Sequence, residues 1–264
     1  MSALLRYVLL ASMSAAGMDV GASTPSLEVS VEGTVSRPGP IQLPAGTRFA
    51  DAVVAAMPRR DAYILGASAF RVATYTEHVR LRAGLLHDLR TIAEWADASP
   101  AVAARAAALH SWVEGLPVTG RVPIEGNPRR LEVSRGDRNS LLAQGDHFFF
   151  PERPDTVTVV GAVVAPCAIP HVAGRDARDY LSDCLIDRDA ADPDTIHVIQ
   201  PDGQASAIGI AAWNRSPAQL LAPGAIIYVP LRKKVTAEVA PELERDMTIF
   251  LASQPLPHDG LVNP

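Results

Sequence analysis

Residues 29–56 read VSVEGTVSRPGPIQLPAGTRFADAVVAA, and residues 157–184 read VTVVGAVVAPCAIPHVAGRDARDYLSDC. The two stretches align without a gap at a constant offset of 128 residues, and these residues of the first recur in the second: Val29, Val31, Gly33, Val35, Pro38, Ile41, Ala45, Gly46 and Asp51. A second pair, LLAQGDHFFFP at 141–151 and LLAPGAIIYVP at 220–230, repeats at an offset of 79, so the first copy carries 49 more residues between its halves. Self-similarity over this length indicates two related modules.

Each copy has the same predicted order of elements. In the first, Val29 and Val31 alternate with polar residues as in a half-buried strand, Pro38-Gly39 marks a turn into a second strand, and a helix is predicted from Thr47 through Met57. Later strands are predicted at 130–133 and 147–150; the second copy is predicted to have strands at 157–160, 168–172, 195–200 and 225–230 and a helix at 176–184. This is the order of a β-grasp (ubiquitin-like) module, a small mixed sheet wrapped on one helix, so the predicted fold class is α+β with two such modules.

The extra residues of the first copy, about 58–116, are predicted to form a helical hairpin. From Val79 to Trp95 apolar residues recur mainly three or four apart on one face, and Ser99-Pro100 ends one helix and starts an Ala-rich second helix. The predicted boundaries are 23–154 for the first β-grasp module, which carries this insertion, and 155–234 for the second.

Residues 235–264 are predicted to contain a C-terminal amphipathic helix and a tail. The apolar side of that helix consists of Val239, Leu243, Met247, Phe250 and Leu251. Such a helix either packs back on the protein or binds lipid or a partner. The low basic charge of its polar face favours packing back, because helices that lie on membranes use basic residues there.

Residues 1–22 have the pattern of a cleavable signal peptide. Arg6 precedes a short apolar run, and Val20 and Ala22 are small enough for signal peptidase. An N-terminal anchor or a tail without regular structure is the alternative. Cleavage predicts secretion, to the periplasm if the source is a Gram-negative bacterium, and no later apolar run is long enough to span a membrane.

The chain has two cysteines, Cys167 and Cys184. In an oxidising compartment a close pair is expected to form a disulfide. Two buried thiols that never meet are the alternative, since sequence alone does not fix the separation of the two residues.

Composition and motifs exclude several classes of function. The formal net charge is −5, which argues against a nucleic-acid binder, because such proteins need a basic surface. No P-loop, G-x-S-x-G, H-E-x-x-H or G-x-G-x-x-G occurs, so no enzyme with a motif of known mechanism and no cofactor is predicted. The acidic stretch from Asp187 to Asp194 lacks the glycine and the final glutamate of an EF-hand, and a solvated turn is favoured over a metal site.

The repeated pattern V-x-V-x-G-x-V-x-x-P, followed by A-G-x-x-x-x-D, resembles the SLBB-type β-grasp repeat of bacterial polysaccharide export proteins. Two such modules, a helical insertion, Thr119-Gly120-Arg121, the stretch GDHFFFPERP at 145–154 and a C-terminal amphipathic helix together resemble the GfcC family of capsule biosynthesis proteins. The resemblance covers nearly the whole chain after residue 22. Its specificity lies in the order of short motifs more than in any one of them.

The resemblance implies a periplasmic protein of capsule or exopolysaccharide assembly or export, without an established catalytic activity. It also implies an arginine in a cleft beside the first module, which corresponds to Arg121. One departure is visible: the second copy has Gly224-Ala225 where the first has Gly145-Asp146, so only one module can use that acidic residue.

Candidate ligand-binding residues follow from sugar chemistry. Trp112 and Trp213 offer flat apolar faces to pyranose rings, whereas Trp95 falls on the apolar side of the insertion and is expected in the core. Arg121 either pairs with the carboxylate of an acidic sugar or forms a buried structural salt bridge. Trp112 is close to Arg121 in sequence and is expected to line the same cleft.

Three hypotheses for function result. The first is a non-enzymatic binding or assembly module for surface polysaccharide. The second is an adaptor whose C-terminal helix docks on a capsule-export protein. The third is a polysaccharide-modifying enzyme, for which no catalytic residue can be named.

Overall fold

The computed structural model describes residues 25–122, 124–125, 130 and 137–256. The strands of the first sheet are β1 (Ser26–Gly33), β2 (Gly39–Pro44), β3 (Ser68–Phe70), β4 (Arg121–Val122) and β5 (His147–Phe150), and those of the second are β6 (Thr156–Gly161), β7 (Cys167–Pro170), β8 (Thr195–Ile199), β9 (Ala205–Gly209) and β10 (Ile226–Val229). The α-helices are α1 (Phe49–Ala56), α2 (Val72–Glu94), α3 (Pro100–Glu114), α4 (Lys233–Val239) and α5 (Leu243–Ala252). The predicted signal peptide, residues 1–22, lies outside the described residues.

The two sheets have the same topology. Their strand orders are β2-β1-β5-β3-β4 and β7-β6-β10-β8-β9, and each has one parallel pair, β1 with β5 and β6 with β10. The repeated glycines occupy the same place in both. A Cβ on Gly33 would lie 2.1 Å from the carbonyl oxygen of Phe150, and one on Gly161 would lie 2.0 Å from that of Val229. The prediction of a mixed α+β fold with two related sheets is therefore confirmed.

The two modules differ in their helices. A hairpin of α2 and α3 connects β3 to β4, and it is shorter than the predicted insertion at about 58–116, because Ser68–Phe70 joins the sheet as β3. In the second module the helix predicted at 176–184 is a 3₁₀ helix, Ala177–Asp183, whose first turn Asp176 caps. The strand predicted at 130–133 falls outside the described residues except for Arg130.

The hydrophobic core is divided unevenly between the modules. A smaller core lies between the first sheet and α1, where Phe49 packs edge-on against Phe148 with ring centroids 5.3 Å apart. The larger core combines the second sheet with the hairpin and α5, and its fully buried side chains include Leu85, Leu89, Ile92, Val102, Ala106, Val113, Val159, Ile196, Ile227, Met247 and Phe250. The insertion of the first module thus contributes to the core of the second.

The C-terminal part of the described chain packs back on the protein. It forms α4 and α5, which are separated at Ala240 and Pro241; the predicted amphipathic helix corresponds to α5, and Val239 belongs to α4. The apolar side of α5 is buried, and Glu244 on this helix accepts a hydrogen bond of 2.5 Å from Nε2 of His197 on β8. Within the described ranges, no helix combines the length and apolar character needed to cross a membrane.

A disulfide joins Cys167 on β7 to Cys184 at the end of the 3₁₀ helix, with Cα atoms 5.9 Å apart. Of the two alternatives from sequence, a disulfide or two separate buried thiols, the structure has the disulfide. The bond fixes the short helix to an edge strand of the second sheet.

Candidate functional site

Thr119-Gly120-Arg121 lies where the hairpin returns to the first sheet. Gly120 has φ +67°, and a Cβ there would lie 2.7 Å from both the carbonyl oxygen of Arg71 and the backbone nitrogen of Tyr75. Its own carbonyl accepts a 3.1 Å hydrogen bond from the backbone N–H of Arg71, the residue that precedes α2. A glycine is required here because the start of α2 leaves no room for a side chain.

Arg121 holds the end of the C-terminal helix. Its guanidinium donates to the carbonyl oxygens of Ala252, at 3.3 Å, and Gln254, at 2.8 Å, and it also donates to that of Pro201. The hydroxyl of Thr119 donates to the carbonyl of Ser253 at 3.0 Å. A cation at these carbonyls opposes the negative end of the helix dipole and satisfies acceptors that the helix itself leaves open.

Burial dominates the electrostatics of Arg121. Desolvation lowers the pKa of its guanidinium to about 10, and the negative charge of Asp202 opposes this shift. The side chain stays protonated at neutral pH. Two alternatives came from sequence, a salt bridge or a ligand contact. The geometry matches neither fully, because backbone carbonyls accept from three of the five N–H groups.

The acidic residue that only the first module has also serves the hairpin. Asp146 is 1% exposed and accepts two hydrogen bonds from Arg71, at 2.9 Å from Nε and 2.6 Å from Nη2. It also accepts one from the backbone N–H of Ala143 at 2.8 Å. The second module has no hairpin to anchor, which explains why Ala225 suffices there.

Beside Arg121 lies a cleft of about 230 Å³ between the second sheet, α3 and the segment after α5. Its polar side chains are Arg121, Thr156, Thr158, Gln200 and Gln254, and its apolar walls include Trp112, Leu116, Val160, Ile226, Leu251 and Leu256. The cleft therefore joins residues from both modules and from the C-terminal segment.

The structure brings two of the three predicted ligand-binding residues together. Trp112 and Arg121 both line the cleft. Trp213 does not; it is 77% exposed after β9, and its Nε1 donates to Asp194 at 3.2 Å. Trp95 is half-buried at the far end of the hairpin, in the wall of an open groove near Arg232.

Sequence reasoning missed the residues that the second module adds to the cleft. Thr156 and Thr158 alternate with Val157 and Val159 along β6, a pattern that could have shown a polar face. Gln200 and Gln254 had no such signal, because their approach to Arg121 depends on how the modules pack.

The acidic residues between 187 and 194 have structural contacts. Asp187 forms an ion pair with Arg105 of α3 at 3.3 Å, and Asp192 accepts hydrogen bonds from the backbone N–H groups of Asp194 and Thr195. Among the residues that the structure describes, no group of three or more His, Cys, Asp or Glu side chains is arranged to hold a metal ion.

Comparison with known families gives a match within the C-terminal half of the chain, over about a third of its residues. Residues 165–255 match the family model described as "Capsule biosynthesis GfcC C-terminal". The resemblance to the GfcC-like capsule biosynthesis family is thereby confirmed. The chain is also 33% identical over 159 residues to "Uncharacterized protein YjbG" of Escherichia coli (strain K12), a match that covers 60% of this chain and 63% of that protein.

The GfcC-like region runs from just before β7 to the segment that follows α5. It includes Gln200, Pro201 and Gln254 of the cleft. Trp112, Arg121 and the two threonines of β6 lie before it, so the cleft forms where the GfcC-like region meets the preceding chain.

Proposed function

We propose that this protein acts in capsule or exopolysaccharide assembly or export and that it binds polysaccharide at the cleft beside Arg121. The match of residues 165–255 to the GfcC family supports a role in the capsule or exopolysaccharide pathway. The cleft supports the binding role, because an indole, hydroxyls and amides line one concave site. Ligand sites typically combine apolar walls with a few polar groups in this way.

The proposal includes the finer description of the fold. We assign both modules to the SLBB type of β-grasp, and the identical strand order and the repeated glycines support this assignment. It also includes a periplasmic location, for which the pattern of residues 1–22 is the support.

The proposed role is non-enzymatic. Support comes from the cleft itself, where Arg121 is the one charged side chain among the described lining residues. General acid–base catalysis needs a group that can exchange a proton near neutral pH, and the engaged guanidinium does not suit that task. Incubation of a polysaccharide with the protein is expected to leave its chain length, measured by size-exclusion chromatography, unchanged.

The adaptor hypothesis has less support. In it, α5 would dock on an export protein, yet Leu243, Met247, Phe250 and Leu251 are at most 1% exposed. Docking through that face would require α5 to leave the core.

The test is genetic complementation in the source organism. Deletion of the gene is expected to lower surface polysaccharide, and the wild-type gene and Trp213→Ala are expected to restore it. Trp112→Ala is expected to restore it poorly at equal protein level, because Trp112 lines the cleft and Trp213 does not. Unchanged surface polysaccharide after deletion would contradict the proposal.

A further inference from the structure

The face of β6 that lines the cleft has two hydroxyl groups available to a ligand. Thr156 and Thr158 are two residues apart on one strand and both are half-buried cleft residues. Within the described part of the chain, neither side-chain hydroxyl has a hydrogen-bond partner, although neighbouring polar groups such as those of Gln200 do. Side chains two apart on a strand share a face and lie about 6.8 Å from each other.

The corresponding face of the first module is different. At the offset of 128, Thr156, Thr158 and Val160 correspond to Glu28, Ser30 and Glu32. These residues contact partners within their own sheet: Glu28 accepts from Gln42 at 2.6 Å, and Ser30 lies 2.8 Å from Nδ1 of His147. This face of the first module is therefore charged and paired within its own sheet, whereas that of the second module is neutral and its two threonine hydroxyls have no partner among the described residues.

The charge of the cleft does not favour an anion. Arg121 is the one charged side chain among its described lining residues. Three carbonyl oxygens already accept from its guanidinium, and Asp202 lies close enough to affect its pKa. Because these carbonyls, two of them at the end of α5, take three of the five N–H groups of Arg121, a carboxylate would compete with contacts that the cation already makes.

The size of the cleft suits a small ligand. Its volume is about 230 Å³, below the roughly 300–1,000 Å³ of sites that enclose drug-sized molecules. One sugar ring fits this space better than several. Trp112 and Ile226 provide apolar walls for the ring, and Thr156, Thr158 and Gln254 provide groups that exchange hydrogen bonds with sugar hydroxyls.

We propose that the cleft binds a single neutral sugar unit of a glycan, held by the hydroxyls of Thr156 and Thr158 against Trp112, with Arg121 as a positioning residue. This inference rests on the proposed function, since it names the chemical class of the ligand at the same site. It replaces the acidic sugar suggested by an arginine in a cleft with an uncharged one.

The experiment uses the full chain and a printed array of neutral and uronic-acid-containing bacterial oligosaccharides. Calorimetry with the bound oligosaccharides then follows at 50 and 500 mM NaCl. We expect neutral oligosaccharides to bind, with affinity that changes less than about twofold between the two salt concentrations, because no ion pair is screened.

The decisive variant is Thr156→Val/Thr158→Val, which removes both hydroxyls and nearly keeps the side-chain volume. It is expected to lower affinity at least about tenfold, from the loss of two hydrogen bonds. Thr91→Val is the control, because the Thr91 hydroxyl donates to His87 on α2, away from the cleft. The melting temperature of each variant checks that the fold is kept.

Two outcomes overturn the inference and leave the proposed function in place: binding limited to uronic-acid oligosaccharides and lost at 500 mM NaCl, or wild-type affinity in the double threonine variant. If the wild-type protein binds no oligosaccharide of either class, both the inference and the proposed binding role are wrong.

Discussion

Asp146 and Arg71 form a pair in which one partner is almost fully shielded from water. The side chain of Asp146 is 2% exposed and that of Arg71 is 23% exposed. The hydrogen bonds of Asp146 raise the pKa of Arg71. A buried charge of this kind is stable only while its partners are present, because removal of one leaves the other without compensation.

We expect Asp146→Ala to lower the free energy of unfolding by about 3–5 kcal/mol, as for other broken buried pairs. The measurement is denaturant unfolding followed by circular dichroism. Asp61→Ala is the matched control, since Asp61 pairs with Arg59 while both side chains are 58% exposed; it should cost at most about 1 kcal/mol. Equal losses in the two variants would refute the anchoring role of Asp146.

Glu244 gives the protein a specific response to acid. The hydrogen bond from His197 lowers the pKa of Glu244. The pair therefore stabilises the fold above the ordinary carboxyl pKa of about 4.3, and this contribution is lost as pH falls through the lowered pKa of the folded state.

The free energy of unfolding of Glu244→Gln should be about 1.5 kcal/mol below that of wild type at pH 6–7. This difference from wild type should shrink below about pH 4. Unfolding curves between pH 3 and 7 measure it. Glu242→Gln serves as control, because Glu242 pairs with Arg245 while both are largely exposed. A difference that does not depend on pH would show that the charge of the Glu244 carboxylate is not its cause.

At the level of elements, the sequence repeat predicted the strands and glycines that both modules share, but it did not predict the short strands β3 and β4. The glycines Gly33 and Gly161 and the alternation in β1 and β6 follow from backbone sterics and pleating, which leave marks in sequence. The three-residue β3 and two-residue β4 leave none, because pairing with β5 and with each other holds them in the sheet. The position of the hairpin within the sheet was therefore not predictable from sequence.

The 3₁₀ helix of the second module depends on a covalent link. Cys167→Ser/Cys184→Ser is expected to lower the free energy of unfolding by about 3 kcal/mol, because the bond closes a loop with a sequence separation of 17. Unfolding in guanidinium chloride with and without dithiothreitol measures this. Reductant should shift the wild-type midpoint and leave the double variant unchanged; an unaffected wild-type midpoint would contradict the expectation.

For the whole molecule, the main result is that the larger core does not follow the module boundary. Leu89 of the hairpin and Met247 of α5 are buried in one core with the second sheet. Only the proximity of Trp112 to Arg121 was visible in sequence, because Trp112 lies in the last turn of α3 and Arg121 follows it closely along the chain. The contributions of Gln200 and Gln254 arise from packing between parts of the chain that no local pattern connects.

Leu89→Ala is expected to speed hydrogen exchange in β8 and α5, because it opens a cavity in the shared core and costs about 2–5 kcal/mol. Val53→Ala is the control in the smaller core, where Val53 is also fully buried; its effect should stay in the first sheet and α1. Mass-spectrometric hydrogen exchange on intact protein distinguishes them. Faster exchange confined to the hairpin in Leu89→Ala would contradict a shared core.

The hairpin also has a consequence for the order in which the chain acquires structure. Its apolar side is synthesised before any strand of the second sheet, and α5 comes more than a hundred residues later. Contacts between segments so distant in sequence form slowly. A chain that has not yet formed the second sheet and α5 therefore carries an uncovered apolar helical surface, and during that interval it is open to aggregation and to binding by chaperones.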